Sequence, residues 1–231
     1  MNRPSLKELA DSFCAAFPKL DDAQRRLALA TYRRLARGTA GSPVEIAEDA
    51  GIETEKAQRI LADWIGVHKD EAKRVIGFWG LTIRNTNHSF EVDSAQLYTW
   101  CAWDSLFLPE LLGKSARVES ICEASGKPVR LSVSPNRVES VDPGSVCISF
   151  LTPDSSRFQQ DIVQNFCHCI HFFRSRKDGD GWIAKRPGTF ILSLDEASEL
   201  ARRKNQLQFG PLLSGNADEK RHERKNPEEM R

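Results

Sequence analysis

Residues 117–133, Arg117-Val118-Glu119-Ser120-Ile121-Cys122-Glu123-Ala124-Ser125-Gly126-Lys127-Pro128-Val129-Arg130-Leu131-Ser132-Val133, decide how most of the chain is read. Two short β-type runs, 117–122 and 129–133, flank a turn signal at Ser125-Gly126. Working outward, runs of the same kind recur at 89–92, 138–141, 146–151, 165–173 and 189–192, with Asp142-Pro143-Gly144 as a further turn. Two helices interrupt the strands. One covers about 94–107; the other starts at the capping box Ser193-Leu194-Asp195-Glu196 and reaches about Gln208. Strands and helices in this mixture predict an α+β domain over 84–213, with a mixed, mainly antiparallel β core and flanking helices.

Toward the N-terminus the pattern is helical. Ser5 caps a helix with Leu6, Leu9, Phe13 and Phe17 on one face, and Asp21 or Asp22 starts the next, with Leu27, Tyr32 and Leu35 inward before Gly38. Ser42-Pro43-Val44-Glu45 combines an N-cap, a proline in the first turn and a capping-box Glu, and Thr54 opens a fourth helix that reaches Trp64. Two short helices hinged at Gly51 resemble a helix-turn-helix, and the apolar stretch 75–83, broken by Gly77 and Gly80, supplies wing strands. Residues 1–83 therefore read as a winged-helix-like module. Its second short helix carries Glu55, Lys56, Arg59 and Asp63, which cancel and offer phosphates little attraction, so DNA is not the expected partner. The basic cluster Arg25, Arg26, Arg33, Arg34 and Arg37 lies on another helix.

The 231 residues suit one large domain or a core with an appended module. Lys plus Arg number 33 and Asp plus Glu 32, so no overall field draws the chain onto nucleic acid or an anionic membrane. No apolar run is long enough to span a bilayer, and MNRPSLKELADSF is broken by charges where a secretory segment needs uninterrupted apolar residues. A soluble, cytoplasmic protein is expected. Residues 214–231 are charged, with little to bury, and read as a disordered tail. The six cysteines, at 14, 101, 122, 147, 167 and 169, are scattered through a chain large enough not to need disulfides, which predicts reduced thiols.

Phosphate-loop, dinucleotide, zinc-protease and serine-hydrolase signatures are missing, which leaves thiols beside acids and imidazoles. In Leu97-Tyr98-Thr99-Trp100-Cys101-Ala102-Trp103-Asp104-Ser105-Leu106-Phe107 a helix would put Cys101 and Asp104 on one face, able to address one bound atom in an apolar setting that raises both pKa values. The plainer reading is a core cysteine and a surface aspartate. In Asn165-Phe166-Cys167-His168-Cys169-Ile170-His171-Phe172-Phe173 a strand would project Cys167, Cys169 and His171 to one face. The plainer reading there is a buried strand, and the spacing fits no standard zinc pattern.

Tyr98-x-Trp100-Cys101-Ala102-x-Asp104-x-Leu106 resembles the alkylmercury lyases, also called organomercurial lyases. The similarity continues through Gly113-Lys114-Ser115-Ala116-Arg117-Val118, Gly126-x-Pro128-Val129-x-Leu131-x-Val133-Ser134-Pro135 and Phe166-Cys167-x-x-x-His171-Phe172-Phe173, covering about 80–209 in order. One departure is that His168 follows Cys167 where the family often has a second Cys, with Cys169 one place further on. The resemblance implies protonolysis of the carbon–mercury bond, releasing a hydrocarbon and Hg(II). It assigns Cys101 and Cys167 as mercury-binding thiols and Asp104 as proton carrier and further ligand of the Hg(II) product.

Mercury is soft and prefers thiolate sulfur, so two thiols select it over hard cations. Trp100, Trp103 and Phe107, with Cys169, are the expected substrate pocket. No cofactor is expected; external low-molecular-weight thiols assist product release, and mercuric reductase receives the Hg(II). Two other readings stay open: a non-catalytic thiol protein that binds or senses mercury or another soft metal, and a cysteine hydrolase using Cys167 and His171.

Overall fold

The structure, a computed structural model, describes residues 3–223. Helix α1 (Leu6–Ala16) is capped by Ser5 with Glu8, α2 (Asp22–Leu35) by Asp21 with Gln24, and α3 (Pro43–Ala50) by Ser42 with Glu45, each as a reciprocal capping box. Each cap oxygen takes a first-turn N–H that has no partner within the helix, which fixes the helix starts where the sequence places them. Gly51, at φ 63°, ends α3 in the left-handed region, and α4 (Thr54–Asp63) follows. Leu27, Tyr32 and Leu35 are fully buried, as their spacing requires.

Strands β1 (Val67–Lys69), β2 (Val75–Phe78) and β3 (Leu81–Thr82) occupy the expected wing. They do not form a sheet of their own. With β4 (His88–Val92), β5 (Ala95–Thr99), β6 (Ala116–Ile121), β7 (Pro128–Val133) and β8 (Val138–Asp142) they build one antiparallel sheet in the order β1-β2-β3-β5-β4-β6-β7-β8. The seam is β3 against β5, where Leu81 pairs with Thr99 and Thr82 with Tyr98. Hydrogen bonding thus runs straight across the expected boundary between 83 and 84. Along β6 burial alternates strictly, with Ala116, Val118 and Ser120 inward and Arg117, Glu119 and Ile121 outward. One face is solvated and carries cross-strand ion pairs such as Arg130 with Glu119 and Arg117 with Glu91.

A second sheet, β9 (Cys147–Leu151), β10 (Phe172–Phe173) and β11 (Thr189–Ser193), has the order β10-β9-β11. Helices α5 (Asp104–Leu112), α6 (Ser155–Gln160), α7 (Ile162–Asn165) and α8 (Arg176–Ile183) precede α9 (Leu194–Glu223), which packs against α1 and α5. Among the described residues no helix is long and apolar enough to cross a membrane.

The structure corrects three sequence expectations. The helix expected over 94–107 is instead strand β5 followed by a turn and then α5. Asp93 and Ser94, at φ 48° and 66°, make a two-residue hairpin turn that pairs Val92 with Ala95, so the polar pair that looked like a helix start reverses the chain. The strand expected over 165–173 is the end of α7, a single 3-10 turn at Cys167–Cys169, and only then β10. An apolar run this short does not by itself distinguish strand from buried turn; Asp161 decides it by capping α7 through Gln164 N–H. Finally, the helix starting at Ser193 continues past Gln208 to Glu223 and takes in the first part of the segment expected to be a disordered tail. Residues 224–231 of that segment lie outside the described residues.

Candidate active site

The turn between β2 and β3 consists of Trp79 and Gly80, at φ 38° and 101°. Positive φ at both central residues gives the twist a two-residue hairpin needs, and at a bulky Trp it is a strained conformation. Two side-chain hydrogen bonds help to hold it. Tyr32 Oη donates to the Trp79 carbonyl at 2.9 Å, and Trp79 Nε1 donates to the Ile65 carbonyl at 2.8 Å. The Gly80 carbonyl accepts from Trp100 N–H at 2.9 Å, tying the turn to the segment just after β5.

That segment carries Cys101, completely buried, and it enters α5 at Asp104, the first residue of the helix and only 5% exposed. Asp104 Oδ2 accepts from Cys101 N–H at 2.8 Å. The two residues are therefore neighbours as expected, although Cys101 lies ahead of the helix rather than on it. Cys167 arrives from the 3-10 turn after α7, 4% exposed. Sulfurs of Cys101 and Cys167 and a carboxylate oxygen of Asp104 all lie within 4.8 Å of one another, a spacing from which all three can reach one ion.

Burial sets the electrostatics. Removing water from around a charge disfavours the ionised form, so burial pushes the Asp104 carboxyl up to about 6, against the lowering effect of the Cys101 N–H bond. Burial, with Cys167 and the Asp104 charge adding, holds the Cys101 thiol well above its ordinary value. For Cys167 the neighbouring Cys101 thiol pulls the value down, while burial and Asp104 raise it further, and the net direction is up. Both cysteines thus stay protonated until something replaces the proton.

Asp104 and Cys167 open onto a nearly closed cavity of about 10 Å³, while Cys101 sits behind them. Trp100 and Phe107, both expected at the pocket, line it, and Trp100 is held there by stacking on His68 at 4.7 Å. Trp103 and Cys169 do not. Trp103 is fully buried in the core, donating to the Ala197 carbonyl and packed edge-on against Phe13, Phe107 and Phe150. Cys169 is half-buried, and its carbonyl accepts from Ser149 Oγ. His171 is also drawn away: its Nε2 lies 2.8 Å from the His168 carbonyl and its Nδ1 3.9 Å from Glu123. It does not join Cys167 as a base, which removes the support for a cysteine hydrolase.

Sequence reasoning passed over Gly80, seen there only as a break in the wing. A Cβ at this position would stand 2.6 Å from Asp104 Cγ and 2.7 Å from Oδ1. Gly80→Ala is expected to displace the carboxyl and lower kcat by about 10²-fold, the cost of roughly 1 Å of misplacement. Steady-state turnover beside thermal unfolding separates this from loss of fold. Its only sequence signal was a glycine in an apolar hairpin, which marks a close backbone approach.

The chain is similar to known proteins over the region that holds these residues. The family model described as alkylmercury lyase matches residues 81–206, which contain Cys101, Asp104 and Cys167. An alkylmercury lyase of Bacillus cereus is 39% identical over 168 residues, 73% of this chain and 75% of the relative. One of Pseudomonas putida is 39% identical over 165 residues, 71% and 76% of the two chains. The crystal structure of the mercury-bound form of MerB2 superposes with a TM-score of 0.69 at 24% identity, covering 89% of this chain and all of that one, and shows that the fold is shared. With that fold, a family match across more than half its length and relatives of this similarity, the chain belongs to the alkylmercury lyase family and is an organomercurial lyase, an enzyme that cleaves carbon–mercury bonds.

Proposed function

We propose that Cys101 and Cys167 grip the mercury of an organomercurial while Asp104 carries the proton that releases its carbon. The observation that supports this is the convergence of two buried thiols and one buried carboxyl within 4.8 Å beside a nearly closed cavity. As mercury meets Cys101, the sulfur–hydrogen bond breaks, the proton passes to the Asp104 carboxylate, and the sulfur electron pair binds mercury. A coordinating metal makes this otherwise uphill deprotonation favourable. Cys167 adds as a second thiolate; its proton leaves with the displaced anionic ligand. The extra sulfur donation loads electron density onto the bound carbon. The carbon–mercury bond then breaks, its electron pair takes the proton from Asp104, and the hydrocarbon departs. Hg(II) remains on Cys101 and Cys167, with the regenerated Asp104 carboxylate as a third ligand.

The cavity is smaller than a phenyl group, so substrate enters only when side chains that line it move aside. Trp100 and Phe107 receive the organic group and keep water from the nascent carbanion. No cofactor takes part; low-molecular-weight thiols draw Hg(II) from the two cysteines and pass it to mercuric reductase. We read the protein as cytoplasmic, where such thiols are reduced. Residues 1–83 take a structural rather than DNA-binding role, their strands continuing the sheet of 84–213, which carries the catalytic side chains. The room that Gly80 leaves beside Asp104 couples the first to the second.

The test is release of benzene from phenylmercury by the purified protein with excess thiol; mercury retention without benzene would reduce the protein to a passive thiol trap. Acceptance of the thiol proton requires the Asp104 carboxylate. The carboxyl is raised to about 6, so it is protonated below that pH and ionised above it. We therefore expect kcat/KM to fall as pH drops through about 6 in a pH–rate series, and a profile flat from 5 to 8 would contradict the proton assignment.

A further inference from the structure

Lys204, on α9, is 2% exposed and lines the same cavity as Asp104 and Cys167. Its Nζ donates to Asn205 Oδ1 at 3.1 Å and sits 3.6 Å from the centre of the Phe107 ring. Among the described residues no carboxylate forms an ion pair with it. The carboxyls of Asp104 and Glu110 act on it electrostatically without forming an ion pair, and Glu110 is engaged by Asn205 Nδ2 at 2.7 Å. A buried ammonium with one neutral hydrogen bond and an aromatic face is incompletely compensated, since burying a charge is costly unless it is paired. Cation–π contact with Phe107 offsets part of that cost and leaves donor capacity unused.

A second observation lies one helical turn along. Gln208 is 8% exposed, lines the same cavity, and its Oε1 has no hydrogen-bond partner. Exchanging its amide oxygen and nitrogen by a half-turn presents an N–H donor to the cavity instead. Two polar groups spaced i and i+4 on α9 thus join the reactive Asp104 and Cys167 on a chamber lined mainly by aromatic side chains, into which the organic group must fit. Such a chamber would need neither if it received only hydrocarbon.

We propose that Lys204, assisted by Gln208, is a specificity-determining residue that favours organomercurials whose organic group carries an anionic substituent, such as an aryl carboxylate. The carboxylate supplies the direct ion-pair partner that Lys204 lacks among the described residues and is held by a charge-assisted hydrogen bond. Burial holds the Lys204 ammonium down at about 7, and an arriving anion favours its charged form. This inference rests on the lyase reading of the same site.

The experiment compares kcat/KM for 4-(chloromercuri)benzoate, its neutral methyl ester and phenylmercury at one pH. The wild-type protein is expected to favour the carboxylate over the ester by about tenfold or more, the range of a hydrogen bond to a charged group. Lys204→Met, which keeps the length and removes the charge, is expected to abolish that preference, and Lys204→Arg to restore part of it. Equal rates for carboxylate and ester in the wild type overturn the inference without any variant. So does a Lys204→Met protein that slows all three substrates alike. Failure of every substrate to yield hydrocarbon would instead sink the lyase reading itself.

Discussion

Replacing Asp104 by Asn is expected to lower kcat/KM for phenylmercury by about 10²–10⁴-fold, the usual contribution of a positioned proton carrier. The amide matches the carboxylate in shape and still accepts from Cys101 N–H, so the change removes the proton site with little disturbance of the geometry. Mercury capture depends on the two sulfurs and is expected to persist. The informative result is therefore stoichiometric mercury bound without benzene released, measured by metal analysis and gas chromatography on one sample. Undiminished turnover would show that the proton reaches carbon by another route.

The second large effect concerns the partner thiol. Cys167→Ala is expected to reduce turnover by at least about 10³-fold, because mercury held by Cys101 alone is neither loaded with electron density nor oriented toward Asp104. Cys169→Ala should retain turnover, since its sulfur is not among the groups clustered within 4.8 Å. The pair is discriminating because Cys167 and Cys169 lie on the same 3-10 turn, two places apart. If the outcomes were exchanged, the 3-10 turn would have to present the other sulfur, and the site as described would be wrong.

Different physical scales explain what could be read early. Helix starts at Ser5, Asp21, Ser42 and Ser193 were legible because a cap is a contact between residues three apart. The β6–β7 hairpin was legible for the same reason, its turn closing through Gly126 at φ 67°. The segments misread, 94–107 and 165–173, are apolar throughout. There, burial against the rest of the protein outweighs local propensity, and the short polar pieces that redirect the chain, Asp93-Ser94 and Asp161, look like ordinary caps or loop residues. Trp103 was misplaced at the pocket because an aromatic beside a reactive group looks the same in sequence whether it faces a ligand or the core. Its bond to the Ala197 carbonyl settles the matter and joins residues far apart in the chain.

By itself, the sequence determined an α+β chain with a mainly antiparallel core and pointed to Cys101, Asp104 and Cys167, the three side chains that converge, since short-range patterns and a specific motif resemblance carry that information. Only the tertiary structure decided that the supposed wing is part of the main sheet, that Gly80 leaves room for Asp104, and that Lys204 is buried on the same chamber. Those facts depend on distances and burial between segments separated by many residues. Packing sets such quantities, and no window of sequence contains them.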